Sequence, residues 1–302
     1  MLLKFQLFLL KKIMKKLNLF LLILIFSLNA SQAQLLWKIS GHGLEKPSYL
    51  FGTHHLIPIQ FLDSVPGLYK AFNSTQTVVS EVVLNNLDTA PAIQRAALLP
   101  DSVTIQTLLS KTDYEFANEE ITKILRMSLY SLNKMHPSLI TKLYELELYK
   151  TVEHFDENTK SDSYFQLVAA QKGIPVVGLE TVEKQLSLLF PKNYQKEAQL
   201  LIETIRNKDK LIGEINEMNQ MYRKAKIYEL EKLASQSNKQ WNVSEEENYA
   251  LVDERNIDWI RQLPELLSKS SCFIAVGVLH LPGTNGLINL LKKEGYKVTA
   301  IN

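Results

Sequence analysis

The chain reads as an α/β protein with a mixed central sheet built from its N- and C-terminal portions and a large helical insertion between them. Three observations predict this. Short apolar, β-branched runs lie toward the two ends, long stretches of helical periodicity fill the middle, and strand and helix alternate near both termini.

Taken in order, residues 1–33 stand apart from that fold. They hold five lysines and no acidic residue, and the apolar run Leu17 to Leu28 directly follows Lys15 and Lys16. A basic start, an apolar core of about a dozen residues and the small-residue end Ser31-Gln32-Ala33 form a secretory signal, with cleavage expected before Gln34. The run is short for a membrane span, so no transmembrane segment is expected in the mature chain. Met14 is an alternative start. Leu35 to Ile39 and Ser48 to Phe51 are expected as strands joined through the turn-rich residues 41–47. Thr77 to Leu84 is a β-branched strand with Glu81 inside it, and residues 173–180 form another that ends in the Glu180 carboxylate. Cys272 to Val278 and Lys297 to Ile301 complete the strands. Helical periodicity covers residues 91–150, 162–172, 181–235, 245–268 and 285–294. Within residues 195–235, Leu201, Ile205, Ile212, Ile215 and Met218 recur at helical spacing, the pattern of an amphipathic packing helix.

With 302 residues, 46% hydrophobic and 22% charged, the chain can build one large core, expected as a single domain over residues 34–302. Taking the five lysines of residues 1–33 from a formal net charge of +2 leaves −3. A mildly acidic chain without a basic patch offers nothing to phosphate, which argues against nucleic acid as a partner. The single Cys272 cannot form an internal disulfide, and its apolar surroundings read as those of a small buried hydrophobe.

Two patterns carry the chemistry: Gly52-Thr53-His54-His55 and Gly277-Val278-Leu279-His280, each a Gly three residues before a His at the end of an apolar strand. Ligands of open α/β sheets bind at the carboxyl ends of the strands, where loops leave a crevice. Glu81 and Glu180 sit comparably, and a carboxylate within or beyond an apolar strand is costly unless paired or bound to a cation. Two imidazoles, His55 and His280, with Glu81 make a divalent-metal set suited to Mn, Co or Zn, in which a bound water would become a nucleophile. A further carboxylate such as Glu180 would move the proton. The alternatives are structural: each His hydrogen-bonded in place, and Glu180 capping the helix that follows. In an extended strand His54 and His55 point to opposite faces, so only one joins the site. His42, His136 and His154 lack a matching acidic partner and read as surface or structural residues. Nucleophile-elbow, zincin, phosphate-loop and dinucleotide fingerprints are all missing from the chain.

In order and spacing, Tyr49-Leu50-Phe51-Gly52-Thr53-His54-His55, Ser80-Glu81-Val82, Gly178-Leu179-Glu180-Thr181 with Gln185, Glu254-Arg255-Asn256 with Trp259, and Val276 through Gly283 resemble the TraB/GumN (TraB/PrgY/GumN) family. The likeness extends over about residues 35–302. It implies a fold akin to erythromycin-esterase-type and ChaN-like proteins and a kinship with the animal Tiki proteins, regarded as metal-dependent proteases. It also implies His55 and His280 as the paired histidines, Glu81 as their acidic partner, Arg255 and Asn256 as a pair that fixes a carboxylate or a substrate carbonyl, and Asp162 as a further acidic position. By charge alone, Arg255 would bridge Glu81 or Glu180. The expected function is an exported, periplasmic or secreted, metal-dependent peptidase-like hydrolase acting on a peptide or other small exported substrate, with Glu81, Glu180 and Arg255 as its catalytic side chains. Two alternatives stand beside it: a protein that sequesters peptides without turnover, and a metal-free esterase-like hydrolase.

Overall fold

A computed structural model describes residues 34–84, 89–152, 161–241 and 243–301. The expected signal segment and His154 lie outside the described residues. Six strands form one sheet: β1 (Leu36–Ser40), β2 (Ser48–Thr53), β3 (Thr77–Ser80), β4 (Val176–Gly178), β5 (Cys272–Gly277) and β6 (Lys297–Ala300), in the spatial order β4-β3-β5-β2-β1-β6. β1 pairs antiparallel with β2 and β6, whereas β4, β3, β5 and β2 run parallel. The sheet is thus mixed and drawn mainly from the two ends of the chain, with β4 from the middle filling one edge.

β5 is buried from Cys272 to Val276, which explains its uninterrupted apolar sequence: a central parallel strand is covered on both faces. Phe165, on the Ser161–Gln171 helix, lies at the centre of an aromatic cluster with Phe51 of β2, Phe273 of β5 and Phe72. A second hydrophobic core contains no strand residue. It is built from Ile121, Ile140, Tyr144, Leu201, Ile202 and neighbours of the helical insertion.

The insertion is more broken than its periodicity predicts. Between residues 91 and 150 the helices are Thr89–Ala96, Ile105–Leu108, Lys111–Leu125 and Pro137–Val152. Arg126 in the left-handed region ends the third, and Pro137, which lacks an N–H, opens the fourth. Residues 181–235 resolve into Val182–Leu189, Tyr194–Arg206, Lys208–Arg223 and a helix over Ile227–Gln240, with Ala225 at φ +54° between the last two.

The insertion grips the end of β2. Tyr222 donates to the Gly52 carbonyl at 2.8 Å, Tyr149 donates to the Leu56 carbonyl, and Ser161 donates to the His54 carbonyl at 2.9 Å. Asn219 donates in turn to the Tyr149 hydroxyl at 2.9 Å. The His54 and Leu56 carbonyls lie past the end of β2, where no neighbouring strand can reach them, and these bonds satisfy them.

Candidate functional site

Four adjacent parallel strands end in register: Thr53 pairs with Gly277, and Ser80 pairs with both Ala275 and Gly178. The segments that leave them carry His54 and His55, Glu81, Glu180 and His280 to one edge of the sheet. Glu81 lies just past β3, not inside it. Its carbonyl still accepts from the Glu180 amide at 2.9 Å, but its side chain turns over the strand end toward β5.

There Glu81 Oε1 accepts from the Gly277 amide at 2.8 Å. A Cβ at Gly277 would stand 3.3 Å from that oxygen, so glycine leaves the carboxylate its place. Gly52 serves the other histidine. A Cβ there would meet the Val278 Cα at 3.0 Å, in the short turn Val278–His280 that carries His280.

Arg255, on the Asp253–Ile260 helix, ties the groups together. Its Nη2 reaches Glu81 Oε2 at 2.6 Å and Glu180 Oε1 at 2.7 Å, its Nε lies 3.1 Å from Glu180 Oε2, and its Nη1 donates to His280 Nε2 at 3.0 Å. Arg255 therefore bridges both carboxylates rather than one of them. Glu180 is 2% exposed and committed to this ion pair. The helix after it, Val182–Leu189, is capped instead by the Thr181 hydroxyl, which accepts from the Lys184 amide at 3.2 Å. Gln185 of that helix donates to Glu81 at 3.0 Å and to Glu180 at 3.3 Å.

Because Arg255 only donates, His280 Nε2 must be the acceptor and Nδ1 must carry the hydrogen. Asn256 fits this assignment, its Oδ1 lying 2.8 Å from Nδ1. The Trp259 ring packs at 4.4 Å from the imidazole and faces the Arg255 guanidinium at 4.7 Å. Burial, joined by Arg255 and His55 and opposed by Glu81, lowers the His280 pKa to about 3, so the ring is neutral at neutral pH. Burial also works against the ionised Glu81. It is outweighed by the Arg255 guanidinium and the Gly277 amide, and the carboxyl stays below its ordinary range.

Two cavities flank this row. The larger, about 390 Å³, is lined by His54, His55, Glu81, Arg255 and His280 and by an apolar wall that includes Leu188, Met218, Leu230 and Leu251. The smaller, about 280 Å³, shares Thr53, His55, Glu81 and Gln185 with it and adds Ser80, Ser163 and Gln166. β2 ends at Thr53, so His54 and His55 lie in a turn and both line the larger cavity, where strand alternation would have separated them. His136 is buried in a structural role, with Nε2 3.1 Å from the Pro191 carbonyl. The Asp162 side chain lies outside the described residues.

The row holds one negative charge in excess, the sign a cation would neutralise. Its lone pairs tell otherwise: His280 Nε2 accepts from Arg255, and Glu81 from Arg255, Gln185 and Gly277. Among the described residues, no group of three His, Cys, Asp or Glu side chains is placed to hold a metal ion. As arranged, His55, Glu81 and His280 do not fit a divalent ion as its ligand set. Holding one at His280 would require Arg255 to leave Nε2.

Sequence reasoning named Gln185 and Trp259 only as parts of a resemblance and missed the apolar wall. Met218 belongs by its spacing to a packing stripe, and nothing in a helical stripe distinguishes a cavity wall from a core face.

Comparison with known proteins bears on the same segments. The chain is 23% identical to "Metalloprotease TIKI1" of Xenopus tropicalis, over 90% of this chain and 63% of that protein. It is 21% identical to "Metalloprotease TIKI2" of Danio rerio, over 87% and 60%. The chain thus spans about 60% of the length of the curated relatives it matches. No solved structure matches it, so the likeness to erythromycin-esterase-type and ChaN-like folds rests on the resemblance alone. The model of the TraB/PrgY/gumN family matches residues 35–300, and the chain belongs to that family.

Proposed function

We propose that this chain is a peptidase-like hydrolase whose reaction takes place at the row His55, Glu81 and His280. The observation that carries the proposal is an ionised carboxylate beside a neutral, fixed imidazole at the floor of a largely apolar cavity. Perturbed titratable groups converging in a cleft are the usual mark of a reacting centre. The protease names of the relatives support the same class.

In this reading a water attacks the substrate carbonyl carbon, and Glu81, ionised at neutral pH, takes its proton. The carbon–nitrogen bond then breaks and the leaving amine receives that same proton, passed from Glu81 through His55, so that both side chains return to their starting state. Arg255 and Glu180 hold Glu81 and His280 in place, and Asn256 keeps His280 in the tautomer that accepts from Arg255.

The relatives' names as metalloproteases point to a divalent ion, for which Mn, Co or Zn would suit His and Glu donors; because the side chains as arranged do not fit one, no step of the reaction runs through it, and it is tested directly below. The fully paired Arg255 network favours a second reading as well, a cleft that binds peptides without turning them over. Export through residues 1–33 completes the proposal, with a mature chain beginning at Gln34 as N-terminal sequencing of the exported protein would read it.

The decisive experiment incubates the purified protein with a peptide library, with Mn²⁺ or Co²⁺ and separately with chelator, beside His55→Ala, and reads products by mass spectrometry. Cleavage lost in His55→Ala is expected. Loss on chelation with recovery on adding metal establishes the cofactor, whereas activity that survives chelation assigns the chemistry to the His and Glu side chains alone. Saturable binding that leaves every peptide intact replaces the hydrolase with the binding protein.

A further inference from the structure

The two cavities lie on either side of the same residues and differ in character. Beyond the shared row, the larger is walled by Leu188, Leu189, Met218, Leu230 and Leu251. The smaller sets Ser80, Ser163 and Gln166 among the shorter apolar side chains of Val82, Ala275 and Val276, with Leu84 beside them. Each rim carries an exposed leucine, Leu189 at 45% exposure on the larger and Leu84 at 40% on the smaller. Ser80 lines the smaller cavity at 3% exposure, and its hydroxyl has no hydrogen-bond partner among the described residues. A buried hydroxyl left unpaired is costly, which makes it a candidate for a partner supplied from outside the chain.

We infer that the two cavities are adjoining subsites for one extended peptide, a bulky apolar side chain entering the larger and a small residue entering the smaller, where Ser80 donates to a substrate carbonyl. This rests on the peptidase reading and deepens it to a substrate class. A volume of about 390 Å³ with apolar walls suits an aromatic or long aliphatic side chain. About 280 Å³ that sets the Ser80 and Ser163 hydroxyls among small and branched apolar side chains suits a small residue whose backbone comes close. The scissile bond then lies over His55 and Glu81, which border both cavities.

Binding tests this independently of turnover. The probes are two fluorescein-labelled octapeptides of Gly and Ser that differ only in one central residue, Phe or Ala, followed by Ser. Fluorescence anisotropy with the full-length purified protein is expected to show the Phe peptide binding at least ten-fold more tightly. Leu188→Trp, which fills the larger cavity, brings that ratio toward one. Ser80→Ala weakens both peptides several-fold while leaving the melting temperature unchanged or raised, because the hydroxyl it removes has no partner among the described residues. Equal binding of the two peptides, no binding of either, or a Ser80→Ala variant that binds as wild type overturns the inference. Tight, Phe-selective binding without cleavage keeps the subsites and removes only the hydrolase, and cleavage without selectivity does the reverse.

Discussion

Arg255 meets two carboxylates, an imidazole and the Leu251 carbonyl at once, which only a planar fork of donors can do. Replacing it with Lys keeps one charge but not that geometry, and it leaves the buried Glu180 short of partners. Arg255→Lys should cost about 3 kcal/mol in urea unfolding, because breaking one side of a buried ion pair strands the other. Equal stability of the two proteins would mean that water already shares this network. Gly52→Ala should cost about 1–3 kcal/mol by the same measurement, since its new methyl meets the Val278 backbone, which cannot move aside without shifting the turn that carries His280. His55, Glu81, Glu180 and His280 were legible as residues because polar side chains at the ends of apolar strands are conspicuous in a sequence. Their partners were not: Arg255 stands 174 positions from Glu81 and 75 from Glu180, and spacing cannot reveal a hydrogen bond across such distances.

Elements set how well these residues are held. The Val182–Leu189 helix brings Gln185 to both carboxylates and Leu188 to the larger cavity, and its first turn is closed by Thr181. Thr181→Ala should destabilise the protein by about 1 kcal/mol, as loss of an N-cap does, and should raise amide exchange across residues 182–186 more than elsewhere. Uniform exchange would show that tertiary contacts alone hold the helix. The strands were readable because β-branched and apolar runs bounded by Gly and Pro have few other uses, whereas the insertion read as fewer and longer helices. Its breaks depend on single residues such as Ala225, whose left-handed backbone is a tertiary outcome and not a preference of alanine.

For the whole molecule the buried histidine sets an acid limit. The unfolded chain takes up a proton on this imidazole below about pH 6.5. In the folded protein burial defers that to about pH 3, with Arg255 and His55 adding to the shift and Glu81 opposing it. Stability from His280 is therefore fully present above pH 6.5 and falls by up to about 1.4 kcal/mol per pH unit as pH drops toward 3. The depressed Glu81 carboxyl adds its own loss below the ordinary carboxylate range, in the same direction. Urea unfolding at pH 7.5 and 5.0 should show a loss of about 2 kcal/mol from this source, reduced in His280→Asn. The same loss in the variant would assign the acid sensitivity elsewhere, with His136, also lowered by burial, the next group to test.

Taken by itself, the sequence determined the α/β class, the strands of the mixed sheet and the four polar residues at their ends, because hydrophobic period and abrupt polarity are local properties that a chain writes along itself. Tertiary structure alone decided that those residues meet in one row, that Arg255 joins two carboxylates and an imidazole, and that helices far apart in the chain wall two unlike cavities beside them. Pairing, burial and pKa depend on which surfaces exclude water together, and that is settled only when four parallel strands end at one edge and the insertion folds over it.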